Sequence, residues 1–347
     1  MAITVPAHLI YVIISPLCSS LLVCLNIVTV FVFVKRFRLA TLTLIIVVNI
    51  CICDIFVSLI SNTFYVANLW HPQFSWTTGS VCCKLFKFFT MVANISQIYL
   101  LCFLNADRLR RLVSATMKQW CKRHGVLFSV ISWSLAVLLC IPRLFQFDES
   151  LVTTVDQRNN VSVIVNYNCK AVGVSPRVNE VITLATFVLA YALPASFILY
   201  TLFHAQYFMF RRRSIIHIAC TKNAVTRMNN KLALTFNLTG ALFMLVWTPF
   251  FILSLVDLRT GLVYTKAYTD MNFSMRCTLL LLGSAKPMIY VICLDKFRNS
   301  LKCGLAVGDG VRSEQPSNGD RSGTGTHQIA LCSSPPKKLS DTNSSEA

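Results

Sequence analysis

The fold of this 347-residue chain is decided by Cys82–Leu109, which reads CCKLFKFFTMVANISQIYLLCFLNADRL. About 25 of these residues form a mostly apolar run, long enough to cross a hydrocarbon core of ~30 Å as an α-helix. Asp107 and Arg108 close the run with an acid and a base. Because charges are costly in hydrocarbon, this pair is expected where the span meets water or protein. The stretch therefore predicts a transmembrane helix.

The composition of the whole chain agrees with this interpretation. Hydrophobic residues make up 55% of the chain and charged residues only 13%, and the mean hydropathy is +0.60. Soluble domains carry roughly a quarter charged residues. Most of the 15 cysteines lie inside apolar runs, where they are interpreted as small buried hydrophobic residues and not as a disulfide framework. We therefore expect an all-α membrane protein.

Six further apolar runs predict a bundle of seven transmembrane helices. The first run, about 8–34, is too long for a signal peptide and lacks its basic start. Residues 1–7 are expected to be a short N-terminal stub, residues 8–293 the bundle, residues 294–305 a short amphipathic eighth helix on the membrane surface, and residues 306–347 a disordered tail. The remaining predicted spans are about 40–67, 125–145, 178–210, 232–256 and 273–293.

Basic residues predict the orientation of the bundle. The loops after the first, third and fifth spans carry about 15 Lys and Arg residues and no acid, and loops rich in these residues stay in the cytoplasm. The N-terminus is therefore expected outside the cell membrane and the tail inside. The net charge of +18 is explained by this topology, which suits an anionic bilayer surface and does not indicate a nucleic-acid partner.

Several motifs resemble the rhodopsin-like (class A) G protein-coupled receptors. Trp76-x-x-Gly79-x-x-x-Cys83, followed 25 residues later by Arg108, is similar to the family's third transmembrane helix. The other spans each carry a family landmark: Asn26, Asn49 with Asp54, Trp133 with Pro142, Pro194, Phe243-x-x-x-Trp247-x-Pro249, and Lys286-Pro287-Met288-Ile289-Tyr290.

The resemblance implies a disulfide, a switch and a set of partners. Cys83 is expected to pair with Cys169 in the second outer loop; Cys82 competes, although the spacings to Trp76 and Arg108 favour Cys83. The implied function is that of a cell-surface receptor, leaning toward the orphan and peptide receptors, that transmits binding of an extracellular ligand to a heterotrimeric G protein. The residues expected to serve G protein coupling and activation are Asp107, Arg108, Trp247, Pro249, Lys286, Pro287 and Tyr290.

Three departures from the family pattern leave a second function open. Leu109 and Leu202 stand where the family usually has tyrosine, and Lys286 replaces an asparagine. The alternative is an atypical or decoy receptor that binds ligand without G protein signalling. A retinal-binding opsin is rejected, because the opsin lysine would fall at Leu280, two helical turns from Lys286.

The ligand is expected to be a peptide or another anionic molecule. Amine receptors have an aspartate where this chain has Thr90, so a monoamine lacks its counter-ion. Cations beside aromatic rings at the outer ends of the spans suit a carboxylate. As an alternative, Lys87 faces lipid headgroups or pairs with a loop acid. The candidate pocket residues are Phe64, Tyr65, Lys87, Thr90, Phe250, Phe251 and Arg276.

Asp54 and Lys286 are predicted to form a polar pair in the middle of the membrane. In the family, the aspartate at this depth shares a sodium ion with a third-span serine and seventh-span asparagines. Those places are Gln97, Leu282 and Lys286 here. A lysine this deep needs an anionic partner, so the hypothesis is that its ammonium replaces the sodium ion. Alternatively, Lys286 reaches water at the cytoplasmic mouth.

Modification sites complete the sequence expectations. Asn160 is the sequon best placed for glycosylation, and Cys303 is a palmitoylation candidate. Serines of the tail, such as Ser333, are candidates for phosphorylation and thereby for arrestin binding. The sequence contains no nucleophile–base pair, phosphate-binding loop or metal-ligand spacing, so neither an enzyme nor a cofactor or metal site is expected.

Overall fold

A computed structural model describes residues 5–37, 41–70, 76–113, 120–155, 163–216, 235, 238–245, 247–249, 251–256, 266–293 and 298. In this part of the chain, seven helices are long and apolar enough to cross a membrane. The predicted seven-helix bundle is therefore confirmed. The predicted eighth helix (apart from Arg298) and the tail lie outside the described residues, as do Asn160, Phe250, Cys303 and the side chain of Tyr65.

Several spans extend beyond the apolar runs that predict them. The first helix already begins at Val5, inside the expected N-terminal stub. Two spans contain a π-helical turn, at Ser58–Asn62 and at Phe187–Ala192. The helices are, in order, Val5–Phe37, Leu42–Val57 continued by Thr63–Trp70, Gly79–Val113, Lys122–Cys140 continued by Arg143–Gln146, Pro176–Thr186 continued by Leu193–Ile216, the sixth span Leu238–Val256, and Lys266–Cys293.

The third span lies at the centre of the bundle. It packs against the second, fourth and fifth spans, while the first span packs against the second and seventh. Its side chains Leu100, Leu101 and Leu104 are fully buried. Large apolar side chains on the outer surface, such as Phe203, are exposed, as expected of helices whose outward faces are solvated by lipid. The third span therefore runs from the end of the bundle that carries Cys83, called the outer end from here on, to the end that carries Arg108, called the inner end.

The segment between the fourth and fifth spans forms a hairpin, although the sequence analysis predicts only a polar loop there. Strand β1 covers Asp148–Val155 and pairs antiparallel with β2, Val163–Lys170, with Glu149 opposite Cys169. Both strands contain several β-branched residues, which favour extended backbone. The Trp76 backbone N–H also donates to the Tyr167 carbonyl over 2.6 Å. The hairpin is thereby fixed over the outer end of the third span.

Candidate functional site

The outer end of the third span is joined to the hairpin by a disulfide. Cys83 is bonded to Cys169 with 5.5 Å between their α-carbons, within the range that a disulfide allows. Cys82 is a free, half-buried thiol. The indole N–H of Trp76 donates to the Gly79 carbonyl over 2.9 Å, so the segment before the helix is also held. The disulfide predicted from the family resemblance is present in the structure.

Three aromatic rings pack around this disulfide. Phe64, Trp76 and Phe86 lie with ring centroids 5.4–5.9 Å apart, a separation at which aromatic pairs attract each other. Trp76 and Phe86 are buried, and Cys82 and Cys169 pack against the cluster. The rings form an apolar wall beside the predicted ligand pocket.

Lys87 lies over aromatic rings, and no acid pairs with it among the residues that the structure describes. Its ammonium nitrogen is 5.0 Å from the centroid of Phe147 and 5.6 Å from that of Phe86, within the range of a cation–π interaction. The loop acid Asp148 instead pairs with Lys84 over 3.1 Å. Hydrogen bonds from Ser80 and Lys84 hold the pKa of Asp148 below its usual value. This loop acid is therefore engaged by a different lysine.

The other predicted pocket residues that the structure describes lie on the second, third, sixth and seventh spans. Arg276 donates to the Ser61 hydroxyl over 3.1 Å, which links the seventh span to the second. The Thr90 hydroxyl is buried and has no hydrogen-bond partner among the described residues. Phe251 stacks on Tyr191 with ring centroids 4.4 Å apart and lies 6.1 Å from Trp247.

The middle of the bundle contains the predicted ion pair. The Lys286 ammonium donates to both carboxylate oxygens of Asp54, over 2.9 and 2.8 Å. Gln97 donates to the same carboxylate over 2.8 Å. Lys286 and Asp54 are only 7% and 9% exposed, so the charges neutralise each other away from water. Within the described ranges, no three His, Cys, Asp or Glu side chains lie together as a metal site would require.

The inner end of the third span is rich in charge. Asp107 is fully buried and lies 3.7 Å from Arg110 and 3.4 Å from Arg111. Arg108 is buried and donates to the Thr43 hydroxyl of the second span. The sequence places Arg108 directly after Asp107, whereas the structure shows a contact of Arg108 with Thr43 on another span.

The remaining predicted switch residues lie on the sixth and seventh spans. Trp247 and Tyr290 are buried, with Tyr290 6.2 Å from the Phe33 ring. Pro249 is exposed on the sixth span, and Pro287 is buried inside the seventh helix. The structure thus distributes the predicted residues over three layers: outer pocket, mid-membrane pair and inner end.

Two residues near the predicted pocket are not identified from the sequence: the cationic Arg143 and the polar Gln146. Arg143 lies 5.5 Å from the Phe147 centroid, on the same ring that Lys87 approaches. A usable signal was present, because Arg143 directly follows Pro142 at the outer end of the fourth span. Gln146 is 1% exposed and donates to Thr183 over 3.2 Å; nothing in its sequence context marks it.

Comparisons with known proteins point to one family. A family model described as "7 transmembrane receptor (rhodopsin family)" matches residues 25–290. The chain is 26% identical over 261 residues to the C-X-C chemokine receptor type 2 of Mus musculus, covering 73% of this chain and 66% of that receptor. It is 24% identical over 285 residues to the neuropeptides B/W receptor type 1 of Mus musculus, covering 80% of each. A third relative, the C-C chemokine receptor type 1 of Homo sapiens, is 30% identical over 122 residues, 35% of this chain and 34% of that receptor.

The fold also matches a solved structure. The crystal structure of squid rhodopsin superposes with a TM-score of 0.71 over 91% of this chain and 90% of that chain, at 17% sequence identity. At this identity the match shows the fold alone. The family match, which covers most of the chain, shows more: this protein belongs to the rhodopsin family of seven-transmembrane receptors.

Proposed function

We propose that the protein is a cell-surface receptor that transmits the binding of an extracellular ligand to a heterotrimeric G protein. One observation carries this proposal. The buried third span joins the disulfide-held outer pocket, with Lys87 and Thr90, to Arg108 at the inner end. A rigid helix with a ligand site at one end and a charged contact at the other suits a signal that crosses the membrane.

The proposed ligand is a peptide. The relatives are, by name, receptors for chemokines and for neuropeptides B/W. In this chain, Lys87 supplies positive charge over the Phe86 ring, which packs against Phe64, and Arg276 adds a second cation on the seventh span. Such a surface suits a carboxylate attached to an apolar group.

The Asp54–Lys286 pair is proposed to act as a built-in counter-ion between the second and seventh spans. A buried carboxylate in a membrane requires a cation, and here the chain provides one, on two hydrogen bonds of 2.9 and 2.8 Å. Because both charges are satisfied within the protein, a sodium ion is not needed at Asp54. The pair would then set the balance between inactive and active states by its own geometry.

The proposed setting is the cell membrane, with the N-terminus outside. The predicted glycan at Asn160, the palmitoyl group at Cys303 and arrestin binding to a phosphorylated tail belong to this proposal, and all three lie outside the described residues.

A peptide screen on cells expressing the full chain tests the function. We expect calcium or cAMP to change in response to at least one peptide, and we expect Arg108→Ala to abolish that response without preventing peptide binding. A peptide that binds the surface receptor and is internalised, while neither messenger changes, would favour the atypical or decoy receptor instead.

A further inference from the structure

Two cations approach the same aromatic ring at the outer end of the bundle. The Lys87 ammonium is 5.0 Å and the Arg143 guanidinium carbon 5.5 Å from the centroid of Phe147. Like charges that share one ring repel each other, and the repulsion grows as water is excluded. The arrangement therefore carries an electrostatic cost.

No acid offsets this cost among the residues that the structure describes. Neither Lys87 nor Arg143 has a carboxylate within ion-pair distance there, and the Arg143 Nε–H is buried without a hydrogen-bond partner. Asp148 follows Phe147 directly but pairs with Lys84. Burying cations is unfavourable unless an anion and hydrogen bonds compensate. The described site thus lacks its negative component.

Two neutral polar atoms near these cations are also unsatisfied. The Thr90 hydroxyl lies one helical turn from Lys87, and the Gln146 side-chain oxygen lies in the short helix that begins at Arg143. Both are buried and have no partner among the described residues. A buried polar group without a hydrogen bond destabilises the fold by about 1–3 kcal/mol. This cost is larger than the net stabilisation that a typical hydrogen bond provides. These atoms favour a polar group in the same region as the cations.

We propose that Lys87, Arg143 and Phe147 form an anion subsite that binds a carboxylate carried on an apolar group. This inference rests on the proposed function and deepens it by naming the part of the ligand that is recognised. Arg143 offers the planar fork that matches a carboxylate, and Lys87 adds a point charge. The rings of Phe147 and Phe86 receive the apolar part. A phosphate dianion is less suited, because these aromatic walls would strip more hydration from it.

The test uses the full chain in nanodiscs of neutral phosphatidylcholine and follows thermal unfolding by tryptophan fluorescence. The probe is N-acetyl-phenylalanine. Two control compounds are used: its amide, which keeps the ring and lacks the negative charge, and inorganic phosphate, which is negatively charged and lacks the ring. A ligand of this size binds in about the millimolar range. We expect the acid to raise Tm saturably, and we expect no shift from the amide or from phosphate.

Variants identify the residues responsible. Lys87→Gln and Arg143→Gln should each weaken the acid's apparent affinity about 10- to 100-fold, the value of a lost charge-assisted hydrogen bond, and Lys87→Arg should retain it. Lys84→Gln is the matched control, because Lys84 lies on the same helix but already has Asp148. Without probe, Lys87→Gln should unfold at the same or a higher temperature, since a repelled cation is removed.

Four results would overturn the proposal: no shift with the acid, an equal shift with the amide, an equal shift with phosphate, or an equal loss in Lys84→Gln. Binding is read here without a G protein. A failure of the subsite is therefore distinguishable from a failure of signalling, which would leave the acid's Tm shift intact.

Discussion

At the scale of single residues, Lys286 separates this chain from the family pattern most clearly. The sequence predicts its partner because Asp54 is the only acid expected at that depth, and the structure places both carboxylate oxygens within 2.9 Å of the ammonium. Gln97 was expected to be a lost oxygen ligand, yet it donates to Asp54 over 2.8 Å. An amide offers an N–H as well as an oxygen, and only the structure decides which of the two faces the carboxylate.

Single alanine substitutions of this pair should be strongly destabilising. Lys286→Ala or Asp54→Ala leaves one buried charge unpaired, at a cost of about 3–5 kcal/mol. The double variant should be less harmful than the sum of the single variants, as measured by Tm of the purified receptor and by surface expression. Lys84→Ala and Asp148→Ala form the matched control cycle, because their partly exposed pair should contribute only about 0–1 kcal/mol.

The sodium dependence of agonist binding is an independent test of the Asp54–Lys286 pair. Exchanging sodium for a bulky organic cation at constant ionic strength should leave agonist affinity of the wild type unchanged. Clear sodium sensitivity, or a strictly additive double variant, would contradict the built-in counter-ion.

The two adjacent cysteines should differ sharply in their effect. Cys83→Ala and Cys169→Ala remove the bond that joins the third span to β2, and loss of a disulfide that closes a long loop costs about 2–5 kcal/mol. Surface expression, measured with an antibody to an N-terminal tag, should fall for both. Cys82→Ala should retain expression because this thiol is free. If Cys82→Ala were as damaging as Cys83→Ala, the assignment would be wrong.

At the scale of helices and strands, the sequence locates all seven spans but not their local irregularities. Long apolar runs identify a span because bilayer thickness sets its length. The π-helical turn at Ser58–Asn62 is different, because its side chains are held by the first span: Ser58 contacts Ser19 over 2.5 Å and Asn62 donates to the Ser15 carbonyl over 3.3 Å. Such contacts between distant residues leave no local pattern. The second π-helical turn, at Phe187–Ala192, is likewise held by other spans: the Tyr99 hydroxyl donates to the Leu189 carbonyl over 2.7 Å, and the Tyr191 hydroxyl bonds to that of Thr248.

The hairpin shows a second way in which the sequence alone is insufficient to predict an element. Its β-branched residues are a valid strand signal, but the surrounding polarity of residues 146–177 favours a loop interpretation. Cross-strand pairing from Asp148–Lys170 to Val155–Val163 decides the outcome. The same register places Glu149 opposite Cys169 and leaves Asp148 beside Lys84, which is why the sequence alone did not identify the partner of this acid.

The packing of the seventh span against the first should depend on Gly283. A β-carbon at this position would lie 2.6 Å from the Leu22 side chain and 3.7 Å from an Asp54 carboxylate oxygen. Leu22 is buried and has little room to move, so overpacking should cost about 1–3 kcal/mol. Because alanine also favours the helix by about 0.5–1 kcal/mol over glycine, Gly283→Ala should lower the free energy of unfolding by about 1–2 kcal/mol, with a matching fall in Tm.

The adjacent variant Ser284→Ala is the control for this prediction. The Ser284 hydroxyl donates to the Leu280 carbonyl of its own helix, over 2.9 Å, and makes no bond to another span among the described residues, so its loss should be nearly neutral. An unchanged Tm in Gly283→Ala would show that the two spans do not approach this closely.

At the scale of the whole molecule, the charge distribution predicts which end faces the outside. If the N-terminus and the hairpin are extracellular, Asn160 carries the glycan, and Asn160→Gln should abolish the mobility shift that glycosidase treatment produces on a gel. Asn343→Gln is the control, because the tail is then cytoplasmic. If the mobility shift survives in Asn160→Gln and disappears in Asn343→Gln, the tail is extracellular and the predicted topology is wrong.

Membrane class and span number follow from composition and length, but the pocket does not. One alternative from the sequence is that Lys87 faces lipid headgroups or pairs with a loop acid. In the structure, Lys87 lies over the Phe147 ring, and Arg143 approaches the same ring. This convergence joins residues from the third span, the end of the fourth and the hairpin. Only the fold brings these residues together. The sequence can therefore identify a cation such as Lys87 as a candidate, but it cannot predict the site that the cations form.

In the proposed function, the receptor activates a G protein through the inner end of the third span. The sequence from Arg227 to Lys231 offers no acid to restrain Arg108 from the sixth span, and a shift of ~1.4 kcal/mol changes the ratio of inactive to active states tenfold. The most direct measurement is G protein activation without ligand, by energy-transfer sensors for each G protein class, at confirmed surface expression. We expect a basal signal above that of untransfected cells, and we expect Arg108→Ala to lose it. A wild-type signal indistinguishable from untransfected cells for every class would contradict this expectation.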